Sequence, residues 1–150
     1  MPGHRRSIRL KGFPYSSGAT YFVTVCTAGR SRVLSHVRNG LVRPTLVGSV
    51  VQEIWSQIPT RDPAIAVDAF VVMPDHIHGI LTFGAGATTS LGRVMSWFKG
   101  VSVTTARSRR LWDRRALWQR GYFERVVRTR WALEQIRRYI RENPSRWKHP

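Results

Sequence analysis

The segment Met73-Pro74-Asp75-His76-Ile77-His78-Gly79-Ile80 sets two imidazoles two positions apart at the head of an apolar run. On a strand, residues two apart project from one face. His76 and His78 then stand side by side, which is half of a divalent-metal site. A second pair of polar groups lies near the C-terminus. In a helix centred on Ile136, Leu133, Tyr139, Ile140 and Asn143 share one side, and Arg137, Arg138 and Arg141 share the other. Tyr139 and Asn143 are thus one turn apart on an otherwise apolar stripe. An unpartnered buried amide costs about 1–3 kcal/mol. Asn143 avoids that cost either by capping the helix or by giving its carbonyl oxygen to a metal. Tyr139 is either a core tyrosine with its hydroxyl at the rim or a nucleophile.

Together these groups suit phosphoryl transfer. An ion held by two imidazoles and an amide oxygen keeps open positions and can polarise a phosphodiester for in-line attack. A tyrosine attacking phosphorus forms a covalent phosphotyrosine and frees a 3′-hydroxyl. One phosphodiester replaces another, so the bond energy is kept and the step can reverse. The phenol has a pKa of about 10, so its proton must leave in the transition state. Tyr122 is the competing tyrosine, in an aromatic segment that suits packing or DNA contact.

The charge says what substrate would come to such a site. The chain of 150 residues has a formal net charge of +17, and only Lys11, Lys99 and Lys148 of its 25 basic residues are lysines. Arginine forks match phosphate oxygens and stack on bases, so a nucleic-acid partner is expected. The candidate contacts are Arg5, Arg6, Arg9 and Lys11 in a basic arm over residues 1–12, then Lys99, Arg107, Arg110, Arg120 and Arg138. Six tryptophans exceed the needs of a small core, and Trp112 or Trp118 could stack on unpaired bases. No segment is apolar enough to span a membrane, and no basic amphipathic stretch suits a membrane surface. The single cysteine, Cys26, lies in an apolar run and reads as a small core residue in a reducing, cytoplasmic setting.

The elements that must position these groups are legible in outline. Length predicts one domain over residues 1–150. β-Branched and aromatic residues predict strands over residues 21–27, 64–72, 76–83 and 117–127, the last broken by Gly121. Apolar spacing predicts helices over 45–58, over 91–109 with Ser90 as cap, and over 130–142 ending before Pro144. The order β-α-β-β-α-β-α predicts an α+β sandwich with a mostly antiparallel sheet, helices on one face and a C-terminal catalytic helix.

With both elements in view, the chain resembles the single-tyrosine HUH transposases, and within them the REP-associated tyrosine transposases. The resemblance rests on Tyr21-Phe22-Val23-Thr24-Val25-Cys26-Thr27, on residues 72–78 around the histidines, on residues 117–128 (Leu117-Trp118-Gln119-Arg120-Gly121-Tyr122 and onward), and on Tyr139-Ile140-Arg141-Glu142-Asn143-Pro144. It implies a ferredoxin-like sandwich, Mg²⁺ or Mn²⁺ on His76, His78 and Asn143, and Tyr139 as nucleophile. It also implies cleavage and joining of single-stranded DNA at hairpin-associated sites, by a monomer or homodimer acting at the bacterial nucleoid. Asp75 stands where the family usually has Asn or Glu, and many relatives carry a longer C-terminal tail, so the chemistry is expected to carry over more directly than hairpin recognition. The alternatives are a relaxase-like or replication-initiator-like nickase, and a hairpin-binding module without catalysis.

Overall fold

The chain of a computed structural model, which describes residues 18–148, is organised around one strand that is buried on both faces. Its elements are β1 (Thr20–Cys26), β2 (Ser35–Arg38), β3 (Leu41–Pro44), α1 (Leu46–Ser56), the short α2 (Ile58–Arg61), β4 (Ile65–Val72), β5 (His76–Phe83), α3 (Leu91–Ser108), β6 (Phe123–Val127) and α4 (Arg130–Glu142). A 3-10 turn, Pro144–Arg146, follows α4. Four strands pair antiparallel in the order β4-β5-β1-β6, and β2 and β3 form a separate hairpin. The α+β sandwich on an antiparallel sheet expected from the element order is observed, but its helices divide between the two faces: α1 and α3 pack on one and α4 on the other, because β5 is apolar on both sides. Arg5, Arg6, Arg9 and Lys11 lie outside the described residues.

β5 sits between β1 and β4, so its side chains divide between two packed layers. Ile77, Leu81 and Phe83 join Val23 and Val25 of β1 in the main core under α1 and α3. Gly79 shares that face, and its lack of a side chain is a packing requirement. A Cβ there would lie 2.3 Å from the indole of Trp55 on α1. That indole lies against the strand, stacked on Phe70 at 4.7 Å and edge-on to Phe98 at 5.4 Å.

The opposite face carries His76, His78 and Ile80. It is packed against α4, through Leu133, Ile136 and Ile140 on Ile80 and Val127, with Phe22, Ala69 and Val71 at the margin. Each fully buried aliphatic side chain contributes about 1.5–3 kcal/mol. Thr129 caps the helix by accepting from the Ala132 N–H at 2.9 Å, worth about 1 kcal/mol. A bidentate ion pair ties α4 to the edge of β4: Arg137 Nε and Nη2 donate to Asp68 at 2.9 and 2.6 Å. Asp68 reaches it because β4 carries a bulge between Val67 and Phe70. Helical spacing had put Arg137 on the solvent side; it stands instead at the border of the buried stripe.

Two further differences from the sequence reading have physical causes. The stretch between the first strand and the first helix, for which the sequence predicted no element, contains the β2–β3 hairpin, whose Asn39-Gly40 turn takes φ of 53° and 72°, the left-handed pair a two-residue hairpin loop requires. The last strand starts at Phe123 because Lys99 Nζ takes the carbonyls of Gln119 and Gly121 at 2.7 and 2.8 Å. Before that break, Trp118 makes only an isolated bridge to Thr27.

Gly79→Ala should lower unfolding free energy by about 1–3 kcal/mol through overpacking; an unchanged urea midpoint would show that Trp55 does not hold β5 in this way. The Asp68 pair has a pH signature. Burial opposes the Asp68 carboxylate, but Arg137 and the Ala69 N–H outweigh it and hold its pKa below the usual value. A carboxyl with a depressed folded pKa contributes fully above the unfolded value and loses its contribution as pH falls through the folded one. Asp68→Asn should therefore cost roughly 1 kcal/mol at about pH 7, and its stability should converge with the wild type as pH falls below the usual carboxylate range.

Candidate metal and nucleophile site

His76 and His78 open β5 on the face that α4 only partly covers. Their ring centroids are 4.6 Å apart. Each ring is oriented by its neighbour through Nδ1. Asp75 Oδ1 lies 2.7 Å from His76 Nδ1, and Thr24 Oγ1 lies 2.8 Å from His78 Nδ1. Burial works against the Asp75 carboxylate, but His76 and Arg30 outweigh it and hold its pKa below the usual value. An ionised carboxylate only accepts, so the His76 proton sits on Nδ1 and Nε2 keeps its lone pair. Thr24 leaves the same nitrogen available on His78.

The two imidazoles are neutral for a physical reason. Burial pushes the His76 pKa down, with Asp75 only partly offsetting it. Burial, the neighbouring His76 and the Arg30 charge together push His78 down to about 3. Neutral imidazoles whose other nitrogen is hydrogen-bonded are what a divalent ion requires of histidine. The Asn143 side chain lies close enough to the His76 ring to bear on its protonation, and its amide oxygen is the third donor the site could offer an ion. Among the described residues no group of three or more His, Cys, Asp and Glu side chains forms a metal cage. The residues here that could hold an ion are the imidazole pair, with Asn143 beside them.

Tyr139 completes the constellation. Its ring centroid is 5.4 Å from that of His78 and 6.2 Å from that of Phe22, edge-on to the latter. It is 41% exposed, unlike a tyrosine packed into the core. The α4 stripe thus places Tyr139 and Asn143 over the histidines, while Leu133, Ile136 and Ile140 anchor the helix. Tyr122 is elsewhere: its hydroxyl lies near Gly92 at the start of α3, on the main-core side.

The cations named from sequence divide. Arg120 lines a hollow of about 280 Å³ shared with Thr24 and Cys26, at the border of the site. Arg138 is exposed on α4 beside Tyr139, and Arg110 is exposed after α3. Lys99 is turned inward onto the carbonyls given above. Arg107 donates through Nη2 to the carbonyls of Arg114 and Arg115 at 2.9 and 2.6 Å, so both cations brace loops. Trp118 is buried and bonded to Ser102 through its indole N–H at 3.0 Å, which withdraws it from base stacking. Cys26 is buried in line with His76.

Two groups at the site were not found from sequence. Arg30 Nε donates to Asp75 Oδ2 at 3.1 Å, so it steadies the carboxylate that steadies His76. Its only sequence trace is the preceding Gly29, and both residues take positive φ. Trp147, beyond the Asn-Pro step, lies 6.5 Å from His76 between ring centroids.

Comparison with known proteins gives the family and the fold. The family description of the IS200-like transposases matches residues 17–143, a span that includes His76, His78, Tyr139 and Asn143. A Haemophilus influenzae protein of uncharacterised function is 31% identical over 165 residues, spanning 96% of this chain and 90% of that protein. A solved REP-associated tyrosine transposase bound to a REP hairpin has a TM-score of 0.67 at 23% identity, covering 97% of this chain and 73% of that one. A candidate transposase of Deinococcus radiodurans has a TM-score of 0.56 at 25% identity, covering 91% of this chain and 98% of that one.

Asp75→Ala should weaken Mn²⁺ binding by roughly ten- to a hundred-fold, measured by isothermal titration calorimetry, while Asp75→Asn, which keeps an acceptor, should lose less. Equal Mn²⁺ affinity in the wild type and in the double variant His76→Ala/His78→Ala would remove the imidazole pair from the metal site.

Proposed function

The chain belongs to the IS200-like transposase family, and we propose that it cuts and rejoins single-stranded DNA through a covalent bond between Tyr139 and a DNA 5′-phosphate. The observation that carries this reading is the exposed Tyr139 standing over two neutral, hydrogen-bonded imidazoles, with Asn143 one turn further along the same helix.

In the forward step the Tyr139 oxygen attacks phosphorus and the bond from phosphorus to the 3′-oxygen breaks. The phenol gives up its proton and the leaving 3′-oxygen gains one, so the exchange balances with no other reactant. In reverse, a 3′-hydroxyl attacks the phosphotyrosine and frees the tyrosine. Mg²⁺ or Mn²⁺ held by His76, His78 and the Asn143 amide oxygen would polarise the phosphate. The amide ligand and a transient phosphate suit a hard ion better than Zn²⁺. Asp75 and Thr24 keep both rings in place through turnover, and the α4 anchor keeps Tyr139 at a fixed height above them.

The substrate reading draws on charge and on the hairpin-bound relative. An excess of arginine over carboxylate favours a polyanion, and the relative bound to a REP hairpin suggests a folded single strand, here too, as the recognition element. Such an enzyme, monomer or homodimer, would act at the nucleoid in the cytoplasm; no helix among the described residues is long and apolar enough to cross a membrane.

Incubated with labelled single-stranded hairpin DNA from its own genomic flanks, the protein should form a denaturant-resistant adduct with Mn²⁺ and none with EDTA. Tyr139→Phe should reduce the adduct to background. An adduct that persists in Tyr139→Phe would move the nucleophile elsewhere, and hairpin binding without any adduct would favour a binding module.

A further inference from the structure

Beside the histidines lies a cleft that the reaction above does not use. One wall is the β2–β3 hairpin, and the other is the turn Pro144–Arg146 with Trp147. The walls meet at the tip, where a Cβ on Gly40 would stand 3.5 Å from Ser145 Cβ, so the cleft is built from segments far apart in sequence. Its volume is about 620 Å³, within the range of roughly 300–1,000 Å³ usual for organic ligands and far above that of a lone ion. Arg32, His36 and Arg38 line it, and no carboxylate does. The Arg32 guanidinium lies over the Trp147 ring at 5.3 Å, while that ring is also the neighbour of His76.

We propose that this cleft seats one unpaired nucleotide of the DNA strand next to the phosphate that Tyr139 attacks; the inference rests on the strand-cutting reading above. Trp147 offers its ring for a base face, and Arg32 and Arg38 offer guanidinium groups for the flanking phosphates. A paired base has both faces covered by its neighbours in the stack, so the cleft selects single strand over duplex. Trp147 lies beyond the matched family span, which ends at residue 143.

The test measures binding in EDTA, where no cutting is needed, with the full chain and two probes. These are a fluorescent oligo-dT of roughly twelve nucleotides, within the size range of single-strand sites, and a duplex of equal length. Trp147→Leu should weaken oligo-dT binding by roughly five- to a hundred-fold and leave duplex affinity unchanged. Arg38→Gln, on the exposed hairpin, should also lower the single-strand to duplex ratio, and an unchanged thermal midpoint in each variant excludes unfolding. Unchanged oligo-dT affinity in Trp147→Leu, or equal losses on both probes, would overturn the proposal. Failure here with an intact Mn²⁺-dependent adduct removes the cleft alone. Loss of the adduct reading with the single-strand preference still tied to Trp147 removes the phosphotyrosine and keeps the seat.

Discussion

The close approach of Trp55 to the backbone of β5 at Gly79 sets the geometry of everything above it. A strand with side chains on both faces cannot accept an indole lying against its peptide plane. One residue without a Cβ lets α1 settle at that distance, and Phe70 and Phe98 then fix the ring in place. His78 and Ile80 flank that glycine and point the other way. The height and tilt of the imidazole face are therefore set from beneath, by the densest part of the core. The buried indole N–H has no partner among the described residues, a cost of about 1–3 kcal/mol that the surrounding aromatic packing must exceed.

Above the sheet the logic is reversed. The histidines are taken out of water enough to stay neutral, yet each keeps one nitrogen tied to a neighbour and one available. Asp75 is central because it faces both ways: it accepts from His76 on one oxygen and from Arg30 on the other. Arg30 balances the charge of the Asp75 carboxylate from the solvent side. Tyr139 is held differently. α4 rests on a small apolar cluster separate from the main core, with Asp68 and Arg137 as a polar tie.

Much of this was legible in the residues. β5 and α4 begin and end where alternation, capping and proline place them, because their patterns are strong and local. Both site pairs followed from those patterns. The β2–β3 hairpin was missed although Asn39-Gly40 is a strong turn signal, since its strands are short, half exposed and lack a clean alternation. Arg30 and Trp147 were missed because their roles come from contacts distant in sequence, with Asp75 and His76. Lys99 and Arg107 were read as free cations; only the fold brings carbonyls to them. Trp118 was read as available for stacking, yet Ser102, sixteen residues earlier on α3, offers it a hydrogen bond within the core.

Six of the eight carboxylates of this chain are spent on its own fold. Glu53 pairs with Arg109, Asp68 and Glu134 with Arg137, Asp75 with Arg30, and Glu142 with Arg146, while Asp62 accepts from the N–H groups of Ala64 and Thr88. Little negative charge is left to moderate the rest of a surface with a net charge of +17. The folded state therefore carries a strain of mutual repulsion that small ions relieve by screening. The same ions compete with this surface for phosphate, so rising salt steadies the protein while loosening its grip on DNA. At low ionic strength the DNA itself becomes the missing counter-charge, and the substrate serves as part of what holds the protein together.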